Sequence, residues 1–312
     1  MFRILRVILV IAPLVWIYTR TDAGALWGAL GSVRLPLVMF ILSLHFFCIV
    51  LQGAKWWVLI RRFVPELKLG RAVGVHLESV FYAIALPTAA AQDVVKSVIL
   101  SRSHSPQIVW AAAWLGKLIG FFVLVVLSVF GALYIQDEIL PANFRSSLIG
   151  ALAVITVMTA ASFSKKITRP VRVIMAAALS PKIMRRLERI REGIYTFKHE
   201  RKTLLQALLV TIVTQLLIIF TVSFMIYAVT GNFYFIECLV FVPLIEIAAI
   251  SLPLTPGGVG IREALMAALF MHLGLSAEET ATYVTISLLV SMVRLAGGVY
   301  PLYRFIAKRK SS

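Results

Sequence analysis

Apolar runs recur from one end of the chain to the other. Five of them, Leu35 to Ile60, Ile108 to Ile135, Ser147 to Phe163, Leu204 to Val229 and Ala281 to Arg304, carry almost no charge. About 20 helical residues cross a hydrocarbon core of ~30 Å, so each run is long enough, or nearly so, to span a bilayer. A transmembrane barrel would show short alternating segments instead, so each run predicts a helix. A sixth run, Ile4 to Thr19, follows Arg3 and Arg6 and precedes Ala23-Gly24-Ala25, an arrangement that also fits a cleavable signal peptide. Because the next run is already a span, an uncleaved first helix is the expectation.

Two further stretches behave differently. Ala72 to Ala91 carries His76 and Glu78 and then meets Pro87; Phe235 to Leu273 carries Glu237 and Glu246 and is interrupted from Leu252 to Gly260. Two prolines and three glycines between Pro253 and Gly260 remove backbone donors and raise backbone entropy, which disfavours a continuous helix there. Each stretch therefore predicts a broken or re-entrant helical hairpin. Irregular backbone at membrane depth survives only where protein or a water-filled cavity satisfies it, so each break implies a polar interior.

Composition supports the same class. Hydrophobic residues make up 60% of the 312 and charged residues only 14%, against about 25% charged in a soluble domain. The formal charge of +17 arises from 31 Lys and Arg against 14 Asp and Glu. With six full crossings and both termini inside, 24 of the basic residues fall on the inner side and three, Arg20, Arg34 and Arg145, on the outer. That asymmetry follows the positive-inside rule, so the charge needs no nucleic-acid partner. Both termini are expected in the cytoplasm and the chain in the inner membrane.

The same topology gives an internal order of span, span, hairpin, span over residues 4–135 and again, in opposite orientation, over 147–304. The expected architecture is an all-α polytopic membrane protein: one domain over residues 1–312, with about six full spans, two re-entrant or broken hairpins and an inverted repeat. Transporters built this way place their site at the repeat interface. Between the halves, residues 164–203 form a basic loop. After Pro181, Ile183, Leu187, Ile190, Ile194 and Phe197 recur at three- and four-residue spacing, with Lys182, Arg185, Arg186 and Arg189 elsewhere on the turn. This predicts a helix on the inner leaflet with anionic lipid as partner; a solvated connector is the plainer reading. Cys48 and Cys238 lie in apolar runs without metal or disulfide spacing and read as core residues.

Phosphate loops, nucleophile elbows and metalloprotease helices are missing from the sequence. His76 and Glu78, two positions apart, do not share a helix face, which speaks against a metal pair and for a polar cavity wall. No cofactor, metal or enzymatic activity is expected. The informative residues are charges within apolar runs: Lys55, Glu78, Asp93, Lys96, Lys117, Glu237, Glu246, Arg262, Glu263 and Arg294. A charged side chain at the bilayer centre costs at least ~2.5 kcal/mol, so they must be paired, wet or near a helix end. Snorkelling is the plain alternative for Lys55, Lys96 and Glu237. Gly116 and Gly120, flanking Lys117, have a spacing that allows close helix packing.

The string Leu252-Pro253-Leu254-Thr255-Pro256-Gly257-Gly258-Val259-Gly260-Ile261-Arg262-Glu263 resembles the lysylphosphatidylglycerol synthase transmembrane, or flippase-like, family, whose signature is Pro-Gly-Gly-x-Gly-x-Arg-Glu. The family's earlier motif, a Leu-Pro followed by Gly-Asp and then Arg, is met by Leu86, Pro87, Asp93 and Lys96, with Gln92 for Gly and Lys96 for Arg. A Glu-Arg pair usual in the next helix is here Gly116-Lys117, so one acid is lost. The resemblance runs along essentially the whole chain in segment order. It implies movement or recognition of a lipid with a polar headgroup, and not lipid synthesis, which in fused members needs a large soluble domain.

The expected function is a flippase moving an anionic phospholipid, polyprenyl-linked or related lipid across the inner membrane. A membrane partner that presents lipid to a separate glycosyl- or aminoacyl-transferring enzyme is the alternative. An intramembrane enzyme using Glu246 or Glu263 as acid or base lacks a nucleophile. The helix resuming near Gly260 is expected to aim its amino end into the cavity, where backbone N–H groups favour an anion and Arg262 adds a bidentate clamp. Arg262 is thus the expected headgroup ligand. Glu263 and Glu246 would orient it or counter a cationic headgroup, with Asp93 and Lys96 completing the path. The plainer reading pairs Arg262 with Glu263 or Arg294 only to hold the hairpin. Arg262, Glu263, Glu246, Arg294, Asp93, Lys96 and Glu78, with the glycines Gly257, Gly258 and Gly260, form the candidate substrate-binding set.

Overall fold

The structure, a computed structural model, is described for residues 15, 18–19, 23–86, 91–136, 140, 142–164, 180–251, 260–299 and 301–302. Among these the regular structure is helical throughout. A short helix α1 (Ala23–Ser32) precedes the first long one, α2 (Leu35–Ile60). Helices α3 (Leu69–Ala83) and α4 (Ala91–Leu100) flank the first break and are followed by α5 (Pro106–Ala132) and α6 (Phe144–Ser162). Then come α7 (Pro181–Thr196), α8 (Arg201–Thr230), α9 (Phe235–Ser251) and α10 (Ile261–His272) flanking the second break, and α11 (Ala277–Ser291), which tightens into a 3-10 segment over Met292–Gly298.

Five of these are long and apolar enough to cross a membrane: α2, α5, α6, α8 and the unit Ala277–Gly298. They correspond to the five clear sequence runs. The sixth expected span, Ile4 to Thr19, falls mostly outside the described residues. Boundaries follow local chemistry. Pro106 at the first turn starts α5, where a missing N–H costs nothing. The last span begins at Ala277, four residues before the run expected from hydropathy. Ser276 Oγ accepts the Glu279 N–H at 3.1 Å and Glu279 Oε2 accepts the Ser276 N–H at 2.8 Å, a reciprocal cap that outweighs the polarity of the first turn.

Of the helices beside the breaks, α3, α4 and α10 are too short to cross. At 1.5 Å per residue the 15 residues of α3 reach about 22 Å and the 12 of α10 about 18 Å, against a ~30 Å core. Instead α3 packs against α4, and α9 against α10. The long helices carry apolar side chains outward, among them Phe47, Phe130, Val154, Val157 and Val213. In water such a surface would be a liability; in lipid it is the expected outer face. Hydroxyls on α8 are satisfied within the helix: Thr211, Thr214, Thr221 and Ser223 each donate to the carbonyl four residues back, at 2.6–3.0 Å.

The packing pairs up across the molecule. The spans that precede the two breaks, α2 and α8, lie against each other, and the span that follows each break packs on the first arm of the other: α5 on α9, and the Met292–Gly298 segment on α3. A glycine sits at both crossings. A Cβ on Gly131 would fall 2.9 Å from Val240 Cγ2 and 3.1 Å from the Leu239 backbone, while one on Gly297 would collide with the Leu77 carbonyl. Ser128 adds a hydrogen bond from its Oγ to the Val240 carbonyl at 2.7 Å.

Helix α7 departs from the expectation of an apolar stripe lying wholly on a leaflet. Its distal residues Ile194 and Phe197 are buried in a cluster with Trp56, Leu59 and Val109, and the helix packs against α5. Only Ile183, near its start, remains an exposed apolar position on that stripe. The connector is therefore anchored to the bundle at one end.

The glycine crossing gives a test. Gly131→Ile should lower thermal stability by about 1–3 kcal/mol through overpacking, whereas Gly150→Ile on α6, where a Cβ meets nothing within 4 Å, should be near neutral. Melting of the two purified variants decides it; equal melting temperatures would deny the close α5–α9 contact.

Candidate functional site

Between the two hairpins lies a cavity of ≈ 130 Å³. Its wall takes His45, Gln52, Lys55 and Trp56 from α2, His76 from α3, and Gln92, Asp93 and Lys96 from α4. Lys117 of α5, Thr211, Thr214 and Gln215 of α8, Glu246 of α9, Arg262 of α10 and Arg294 complete the polar lining. A second space of ≈ 110 Å³ adjoins it, sharing His45, Glu246, Arg262 and Arg294 and adding Glu263, Tyr283 and Ser287. Residues beside both breaks thus face one interior, as the breaks required.

At the first break, Asp93 in the opening turn of α4 meets two ammonium groups. Lys96 Nζ, one turn on, lies 2.6 Å from Oδ1, and Lys117 Nζ, from α5, lies 2.5 Å from Oδ2. The carboxylate therefore ties the hairpin to the next span. Lys96 is only 4% exposed and its ammonium sits 5.4 Å from the centre of the Trp56 ring, a cation–π distance. Lys55 stands in the same wall, one position before Trp56.

At the second break, Arg262 is gripped by Glu246. Nε faces Oε1 at 2.5 Å and Nη2 donates to Oε2 at 2.8 Å, a fork-to-fork pair across the two arms of the hairpin. Glu263 takes a different part. It is 2% exposed, accepts the Gly260 N–H at 2.7 Å and the Ser287 hydroxyl at 2.9 Å, and so locks the start of α10 to α11. Gly260 has φ +89°, a conformation that L side chains rarely adopt, which explains the glycine immediately before the resumed helix.

The family model described as "Lysylphosphatidylglycerol synthase TM region" matches residues 3–298. The chain belongs to this family. No curated protein and no solved structure matched it. As a member it is a multi-pass membrane domain of a type linked to lipid modification or flipping. Gly116 lies in the cavity wall beside Lys117, and Asp93 is the carboxylate in contact with both Lys96 and Lys117.

The structure brings Arg262, Glu246, Arg294, Asp93 and Lys96 into one cavity lining, and Glu263 into the adjoining one. It does not bring Glu78 there: that residue is buried but lies outside the lining, and His76, on another side of the same helix, takes the wall position. Glu263 lines the adjoining space, where its carboxylate accepts from the Gly260 N–H and the Ser287 hydroxyl. Gly257 and Gly258 fall outside the described residues. The sequence reading passed over His45, Gln52, Gln215, Thr211 and Thr214, and named Lys55 and Lys117 among the informative charges without placing them in the substrate-binding set. Polar residues at helical spacing along α2 and α8 were the available signal.

Removal of the Glu263 carboxylate orphans a backbone N–H and a hydroxyl in the interior. Glu263→Ala should cost about 1–3 kcal/mol, and Gly260→Ala a similar amount through strain at positive φ. Thermal melting of each purified variant checks this, and a parental melting temperature for Glu263→Ala would deny the lock.

Proposed function

We propose that this protein moves a lipid with an anionic, phosphate-bearing headgroup, a phospholipid or a polyprenyl-linked lipid, across the inner membrane, with both termini in the cytoplasm and no chemical conversion. The observation that carries this reading is the charge of the cavity: Lys55, Lys96, Lys117, Arg262 and Arg294 stand in its wall against Asp93 and Glu246. A surplus of cations inside apolar segments is expensive in hydrocarbon and is relieved by an anion. The crossed packing of each last span on the other half's hairpin, with glycines at both crossings, supports an inverted repeat whose interface holds the site. Re-entry of both hairpins, in this reading, is supported by the short α3, α4 and α10 and keeps the basic residues inside.

In this reading the Glu246–Arg262 pair is the hinge between the arms of the second hairpin, and headgroup and pair compete for the same guanidinium. Single cysteines at Ser276 and Ser312 should label from opposite sides of the membrane; labelling from one side only would overturn the inverted repeat. Arg262→Gln should leave Glu246 unpaired and cost about 3–5 kcal/mol, whereas Arg262→Gln with Glu246→Gln should recover much of that stability. Translocation of fluorescent phosphatidylglycerol by purified protein in liposomes then decides the role: a folded double variant working at the parental rate would make the pair purely structural. Absence of transport by the parental protein, with binding intact, would favour lipid presentation to a separate enzyme.

A further inference from the structure

We propose that the first half of the cavity is a phosphate-binding subsite in which Lys55, Lys96 and Lys117 close around one anionic group, with His76 and Trp56 as neutral donors and Asp93 as the resident counterion. The proposal deepens the reading of the cavity as a headgroup site, and rests on it only in placing the phosphate on a lipid.

The case is a count of donors against acceptors. Asp93 is the carboxylate within ion-pair distance of both Lys96 and Lys117. Lys55 stands close enough to feel the charges of Lys96, Lys117 and Asp93, yet no carboxylate among the described residues lies within ion-pair distance of it. Two ammonium groups thus share one carboxylate, and the third has none of the described ones within reach. The neutral groups around them are also unpartnered. His76 is 1% exposed and neither ring nitrogen has a hydrogen-bond partner, and the Trp56 indole N–H has none either. Both residues belong to the cavity wall beside the lysines. A neutral imidazole can offer one N–H and the indole another, while each ammonium offers three. Buried donors are almost always paired in folded proteins, so this concentration of unused ones marks a place where acceptor oxygens are missing.

A phosphate supplies what is missing: several acceptor oxygens and one or two negative charges on a compact group. Ammonium groups suit it as point charges approaching from three helices, α2, α4 and α5. In the second half of the cavity Arg262 already faces a carboxylate of its own, with Nη2 donating to Glu246, although its buried Nε lacks an aligned acceptor. Asp93 must give up part of its contact for a phosphate to be gripped by all three lysines, so the carboxylate competes with the ligand.

The test uses the full-length protein in phosphatidylcholine nanodiscs, titrated separately with dioctanoyl phosphatidate and with inorganic pyrophosphate. Phosphatidate should bind, and Lys55→Gln should weaken that binding about tenfold or more, the size of one lost charge-assisted contact. Lys55→Arg should retain most of it. Since Lys55 holds no carboxylate, Lys55→Gln should melt at or above the parental temperature without ligand, which separates a ligand role from a structural one. Asp93→Asn should bind phosphatidate more tightly; weaker binding by folded Asp93→Asn protein would overturn the counterion role. Parental affinity in folded Lys55→Gln and Lys96→Gln variants, or failure of both probes to bind the parental protein, would overturn the subsite. Pyrophosphate binding without phosphatidate binding would keep the subsite and remove the lipid. Lysine-dependent phosphatidate binding with no translocation in liposomes would keep the subsite and remove transport.

Discussion

Backbone groups that leave a helix in an apolar setting need partners from the protein, and the cavity of this fold lies between two places where short helices pair. Each break precedes a helix that packs on the one before it, and the helix before the first break is too short to cross. The polar groups exposed by turning must then be met by neighbours. At the second break the structure shows how this is done locally: the Gly260 N–H is taken by Glu263, whose other oxygen receives the Ser287 hydroxyl of α11. The long apolar helices form the wall that keeps this polar interior from lipid, and the cavity between the hairpins is what remains inside it.

The spans were legible because apolar length alone defines them. Leu35–Ile60 matches the apolar run at both ends, between Arg34 and Arg61, since nothing but hydropathy decides it. The last span was misjudged at its start because the Ser276 and Glu279 cap is a local bond that overrides polarity. Side-chain direction was harder. His76 and Glu78 are about 200° apart on a helix, so only one could face the cavity, and choosing between them needs the position of the neighbouring helices. The same holds for Lys55 and Lys117. A charge in an apolar run looks alike whether it snorkels, packs or lines a cavity, and only the arrangement of α2, α4 and α5 makes it the last.

The two halves use their charges unlike each other. In the second half Arg262 and Glu246 neutralise one another within a single hairpin, and Glu263 is spent on the backbone; these contacts hold a frame. In the first half Asp93 reaches out of its hairpin to Lys117 of the next span and is shared with Lys96. One half is closed in charge, the other is open. The opening is set by Lys55, which stands in the same wall with no carboxylate among the described residues within ion-pair distance.

Size completes the reasoning about the occupant. A cavity of ≈ 130 Å³ is well below the ~300–1,000 Å³ of a pocket that encloses a whole drug-sized ligand, so it admits a headgroup and no acyl or prenyl chain. The apolar residues Ile49, Leu124, Ile218 and Ile250 lie in the same wall as the charges. An amphipath therefore meets polar and greasy surface within one site, and its chains must stay among the outward apolar faces of the bundle. A small soluble anion would gain the lysines but nothing from that lining. On the proposed reading, burial of a few methylenes next to the phosphate, at about 0.8 kcal/mol each, would favour a lipid over the free ion of the same charge.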